Sequence, residues 1–288
     1  MKFKAIFESV RCTSACCKST ISTSRAETMD EASSFYVTLP SNACKDIYHN
    51  NTASNYKTRI VKPINLKYPY EVALVEIQYP HTWNTLDETC NDFLYTDGGG
   101  TFKKVCIPAG YYDSPRKLTD ELNKAFIEAE KERIPNAAGQ HLYNNIVFGF
   151  DAYSRRTKVF IKNDYRLRFN TVLAQALGFP APSPVYTEPG TVSPRVSDVQ
   201  RGFYSLYVYC DLCQPQIVGD SYVPLLRIVE AKGKDKQIIT KTYAQPHYVP
   251  VFSKSFDTIE INIKDDTGSD VSFTSGKVIC KLHFRIKR

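Results

Sequence analysis

The chain has 288 residues, 42% of them hydrophobic, with 37 Lys and Arg against 30 Asp and Glu, a formal charge of +7. That length holds one large domain or two small ones with a sizeable core, and the composition excludes wholesale disorder, collagen and coiled coil. Apolar runs fall short of the roughly 18 residues that cross a bilayer as a helix, so no membrane partner is expected. A charge of +7 is too small at this size to indicate an acidic partner by itself.

The 19 Tyr and 16 Phe, beside 2 Met and 1 Trp, favour strands over helices. Residues 1–32 are rich in Ser, Thr and Cys, and carry five basic residues and one acid, Glu8, before Glu27. They show no strand or helix period and are expected to be a flexible or non-homologous N-terminal extension. Lys2, Lys4 and Arg11 interrupt their apolar residues, so a secretory signal is not expected. Nine cysteines are an odd number and cannot all pair within one chain, which points to free thiols in a reducing compartment, cytosol or nucleus.

A single domain is expected over 33–288. Phe35–Leu39 reads as its first strand, stopped by Pro40 and Asn42. The apolar-rich run Glu71–Tyr79 suits a strand covered on both faces. Asp97–Gly100 is a turn, followed by a short strand near Phe102–Ile107. One strong helix is predicted near 114–134: Ser114 caps it, Pro115 fits its first position and Pro135 stops it. Leu118, Leu122, Ala125, Phe126 and Ala129 share one face at helical spacing, expected to cover a sheet edge or a barrel end.

Asn145–Phe150, Thr157–Ile161 and Asp164–Phe169 read as strands, and Asn170–Leu177 as a short helix ending at Gly178. Phe179–Pro194 holds five prolines and reads as a loop. Leu206–Tyr209 and Val223–Val229 are further strands. In 258–264, Ile259, Ile261 and Ile263 alternate with polar residues, and Val278, Cys280, Leu282, Phe284 and Ile286 alternate with Lys281, His283 and Arg285. Each is a strand with one buried and one wet face. Ten to twelve short strands with one or two helices argue for a mainly β, antiparallel sandwich or barrel.

Catalytic chemistry finds no anchor. There is no phosphate-binding loop, dinucleotide fingerprint, nucleophile elbow or H-E-x-x-H. Cys210 and Cys213 form a C-x-x-C without a second ligand pair, and the five histidines are scattered, so neither a metal nor a cofactor is expected. Asp265, Asp266 and Asp270 miss the EF-hand spacing and read as a solvated turn. No catalytic residue is assigned.

Two groups remain as candidate interaction residues. Tyr79, His81 and Trp83 form an aromatic cluster at a strand end, either an interface anchor or a core plug. Lys281 and Arg285 lie on the basic face of the last strand, suited to a weak nucleic-acid contact or simply to a solvated, aggregation-resistant face. Tyr204, Tyr207 and Tyr209 beside basic residues suit base stacking, although such tyrosines more often simply pack on a sheet.

Several segments carry a family resemblance: Phe35–Asn42, Glu76–Leu86, Leu206–Val229, His247–Val251 and Thr258–Gly268. Together they resemble proteins of Polinton (Maverick) elements and the related adintoviruses, in particular their minor capsid or penton protein. The resemblance spans about residues 33–288, and the N-terminal extension departs from it. It implies a single jelly roll with loop and helix insertions, and a structural virion protein at capsid vertices. It also implies a homopentamer, contact with a major capsid protein, and assembly in the host nucleus or cytoplasm. The other readings are a nucleic-acid-binding β module using the basic last strand and, third, a cysteine hydrolase.

Overall fold

The computed structural model describes residues 33–89, 91–133, 145–162 and 164–287. The N-terminal extension, with Cys12, Cys16 and Cys17, and the helix stop at Pro135 lie outside the described residues. In chain order the elements begin with β1 (Ser34–Pro40), β2 (Asn55–Asn65), β3 (Tyr70–Pro80), β4 (Asp92–Thr96), β5 (Lys103–Cys106) and α1 (Pro115–Arg133). Then come β6 (Ile146–Asp151), β7 (Arg156–Ile161), β8 (Arg166–Phe169), α2 (Thr171–Ala176) and β9 (Thr191–Val192). The last are β10 (Ser205–Cys210), β11 (Gln216–Val218), β12 (Ser221–Val223), β13 (Leu225–Glu230), β14 (Ile238–Thr242), β15 (Val249–Pro250), β16 (Ser255–Lys264) and β17 (Ile279–Ile286).

Two sheets face each other. One has the order β1–β17–β3–β14, with β15 also pairing β3; the other has β13–β10–β16–β2. All their pairings are antiparallel. First and last strands lie side by side, and the chain crosses between the two sheets at each step except from β10 to β13, which are neighbours in one sheet, and from β14 to β15; this is the double Greek key of a jelly roll. The protein is therefore a mainly β, antiparallel jelly-roll sandwich, as the resemblance implied.

Alternation sets which side chains enter the sandwich. Ile259, Ile261 and Ile263 of β16 share one core with Val278, just before the last strand, with Cys280, Leu282 and Phe284 of that strand, and with Val72, Leu74 and Ile77 of β3. Two buried phenols tie the sheets together. Tyr56 on β2 donates to the carbonyl of Leu39 on β1 at 3.1 Å, and Tyr79 on β3 to the carbonyl of Glu230 on β13 at 2.7 Å.

The chain leaves the sandwich at the end of β3 and returns at β10. Between them, 81–204 builds a second hydrophobic cluster of its own, including Phe93, Phe126, Phe148, Phe169 and Phe179. Its frame is two three-stranded sheets, β5–β4–β8 and β6–β7–β9. The expected helix forms as α1, with Ser114 Oγ accepting from the Lys117 amide at 3.4 Å as its N-cap. Its buried face, Leu118, Leu122 and Phe126, lies in this second cluster, so the helix covers the inserted sheets rather than the edge of the sandwich.

The short helix also forms, as α2, with Asn170 Oδ1 capping the Val172 amide at 3.1 Å. Gly178 takes φ +83°, and the Phe179 amide closes back on the Ala174 carbonyl at 2.8 Å, a left-handed helix exit that suits glycine.

The described residues hold seventeen strands, more than the ten to twelve expected. The long strand β2 escaped notice because its inward positions include Thr58 and its outward ones Lys57, Arg59 and Lys62. A polar inward residue blurs the period of two. β9 lies inside the proline-rich loop, where two residues pair with β7.

Candidate interaction surfaces

Tyr79, His81 and Trp83 come together at the exit of β3. All three are buried, Trp83 with 5% of its surface exposed. The rings of His81 and Trp83 are 4.0 Å apart, and Tyr111 meets His81 edge-on at 5.1 Å. Trp83 in turn meets Phe203 at 5.1 Å and Phe273 at 6.0 Å. The group is a plug where the inserted segment leaves and re-enters the sandwich. Burial pushes the Tyr79 phenol up to about 12 and holds His81 below its ordinary value. The turn at 234–237 clamps the backbone of His81 on both sides: its amide donates to Gln237, and its carbonyl accepts from Lys236, each at 2.8 Å.

Lys281 and Arg285 lie on the outer face of the first sheet, held by neighbours the sequence reading did not connect. Arg285 Nε sits 2.6 Å from Glu71 Oε1, and its guanidinium stacks 3.4 Å above the ring of Tyr248. Lys281 Nζ lies 5.4 Å above the ring of Tyr36. Between them His283 stacks on Tyr36 at 4.4 Å and hydrogen-bonds the Tyr248 hydroxyl through Nδ1 at 2.7 Å. Burial, and then the positive charge of Arg285, hold His283 below its ordinary value. The register Tyr36↔His283 and Arg285↔Glu71 produces this weave, and only strand pairing across some 200 residues of sequence reveals it.

Cys210, Cys213 and Cys280 are buried. A hydrogen bond to Cys213, and then burial, push the Cys210 thiol well up; burial pushes Cys280 up to about 12. Among the described residues no three His, Cys, Asp or Glu side chains gather as a metal would require. Asp265 turns inward on its own loop, accepting from the amides of Thr267 and Ser269 at 2.9 Å each, and Asp270 pairs with Lys264 at 3.3 Å.

A groove lies on the outer face of the second sheet. Its floor is a cross-strand square, Tyr207 opposite Lys264 and Tyr209 opposite Asn262. One wall is the hairpin turn of β11 and β12, the other the turn 265–268, and the space between is about 640 Å³. The sequence reading singled out both tyrosines but not Asn262, whose place beside Tyr209 depends on register.

No family model matches the sequence, and no curated protein does. Among solved structures, the crystal structure of a selenomethionine-labelled mavirus penton protein aligns with 88% of this chain and 98% of its own. The identity is 10% and the TM-score 0.47.

Proposed function

We propose that the chain is a capsid vertex protein of the penton type, from a Polinton-like virus or endogenous element, and that its work is assembly in the virion rather than catalysis. The observation that carries this reading is the strand order of the two facing sheets. It is the order implied by the family that Phe35–Asn42, Leu206–Val229 and Thr258–Gly268 resemble, and jelly rolls are a standard capsid building block.

In this reading five copies close a ring through heterologous, side-by-side contacts, and the ring meets the major capsid protein around it. Burial of exposed apolar side chains drives the contact, with hydrogen bonds fixing its register. Ile217 and Tyr222, paired across the β11–β12 hairpin, and Val185 and Val196, in the stretch between α2 and β10, supply such side chains. The nucleic-acid reading draws less support, because Arg285 is already engaged by Glu71 and Tyr248. The cysteine-hydrolase reading draws less still, because Cys210, Cys213 and Cys280 are buried.

Native mass spectrometry of the purified protein, alone and with its major capsid protein, tests the proposal. A closed ring of identical subunits is expected. A strict monomer in both samples, across concentration and salt, overturns it.

A further inference from the structure

We infer that the groove on the outer face of the β13–β10–β16–β2 sheet is a docking site for an arginine side chain on a basic segment of a partner protein. The inference does not rest on the capsid reading. Tyr207 and Tyr209 lie two apart on β10, so both half-buried side chains project from the same face and form the floor. Asp220 stands in the turn that makes one wall, and Asp265 and Asp266 in the turn that makes the other. An aromatic floor thus lies between two acidic rims.

The charge of those rims is unbalanced. Lys264, which also lines the groove, turns away to Asp270 at 3.3 Å and to the Gly268 carbonyl at 3.0 Å. Asp265 accepts from the amides of its own turn, and Asp220 from the hydroxyl of Ser221 at 3.2 Å, neutral donors that leave both charges in place. Among the described residues no cation pairs with Asp220, Asp265 or Asp266. On a chain of formal charge +7 this is a local reversal of sign, and it attracts a cation.

Size and geometry select which cation. The space of about 640 Å³ far exceeds a bare ion, since a water molecule occupies only about 30 Å³. Among the described residues no group of side chains gathers as a metal requires. The molecule fills the same combination of ring and carboxylate elsewhere with its own arginine. Arg285 lies 3.4 Å above the ring of Tyr248, with its Nε 2.6 Å from Glu71. Arg227 likewise stacks 3.5 Å above Tyr243, whereas Lys281 stands 5.4 Å from the ring of Tyr36. The groove repeats ring and carboxylate without the guanidinium, and a planar guanidinium suits a tyrosine floor better than a compact ammonium.

Calorimetry on the whole protein tests this with a short blocked peptide, acetyl-Gly-Arg-Gly-Arg-Gly amide. Its citrulline analogue keeps the shape without the charge, and its lysine analogue keeps the charge without the plane. The arginine peptide is expected to bind saturably in the millimolar range and to weaken as salt is raised. The citrulline peptide should bind about tenfold more weakly. Tyr209→Leu, Asp220→Asn and Asp266→Asn should each weaken the arginine peptide about threefold. The two Asp variants lie at exposed turn positions and serve as the readout if the floor variant loses its fold. Absence of saturable binding overturns the inference, as does binding that both Asp variants leave unchanged. Equal binding of the citrulline or lysine peptide also overturns it, and displacement of the peptide by micromolar calcium overturns it in favour of a metal.

Discussion

The phenol of Tyr95 donates a 2.8 Å hydrogen bond to Oε1 of Glu130, a carboxylate with no solvent exposure on the same helical face as Leu122 and Phe126. Tyr165 donates to the other oxygen at 2.9 Å, and Arg133 reaches both, Nε to Oε1 and Nη2 to Oε2 at 2.8 Å each. Arg133 also holds Asp97 at 2.7 Å, which ties the last turn of α1 to the turn after β4. Burial pushes the Glu130 carboxyl up, but the donors from Arg133, Tyr95 and Tyr165 outweigh it and hold the group below its ordinary value.

Removing that carboxylate strands its donors. Glu130→Ala is expected to lower unfolding free energy by about 3 kcal/mol, near the low end for breaking a buried pair because Arg133 keeps Asp97. Glu130→Gln should lose less. The native contribution is present above the ordinary carboxyl value of 4.5 and is lost as pH falls through the lower folded value. Urea unfolding should therefore show a flatter acid limb for Glu130→Gln, and an unchanged limb would contradict the assignment.

His81 carries the opposite chemistry with the same pH sense. Burial lowers its folded value below 6.5, and Asp235 only partly offsets this, so the unfolded chain takes up the proton first. Stability is full above the unfolded value and falls as pH drops through the folded one. The melting temperature is expected to fall between about pH 7 and about pH 5, and His81→Phe should reduce that fall. His283, also lowered, contributes a share that His81→Phe leaves in place.

Thiol reactivity should follow burial. Brief treatment of the native protein with iodoacetamide should label Cys106, which is exposed, and Cys44, which is partly so, before Cys210, Cys213 and Cys280. Peptide mass spectrometry reads the order. Early labelling of Cys210 or Cys213 would show that their strand end opens readily.

Gly178 is the position where an added methyl has nowhere to go. Its φ of +83° is strained for any side chain, and a Cβ would collide with the backbone carbonyls of Arg195 and Val196. Gly178→Ala is expected to destabilise by more than about 2 kcal/mol in urea unfolding. Gly190→Ala, also at positive φ but with open space around it, should lose only the conformational part.

Strands with clean alternation were legible in the sequence, β16 and the last strand above all, because one face meets the core and the other water. So was α1, whose cap, proline and apolar face are local signals. β2 was not, because Thr58 sits where an apolar residue would mark the inward face. Glu130 escaped for a similar reason: a charged residue on the apolar face of a helix reads as solvent-facing until Tyr95, Tyr165 and Arg133 are seen around it.

By itself the sequence determined the mainly β class, the principal helix and the alternating faces of the last strands, since each depends on neighbours a few residues away. Tertiary structure decided which candidate residues meet one another. Tyr79, His81 and Trp83 became an interior plug, Arg285 found Glu71 some 200 positions earlier, and Asn262 came to rest beside Tyr209. Those meetings depend on strand order and register. A shift of one residue turns every side chain of a strand to the other face, and local pattern alone does not say which strand lies alongside.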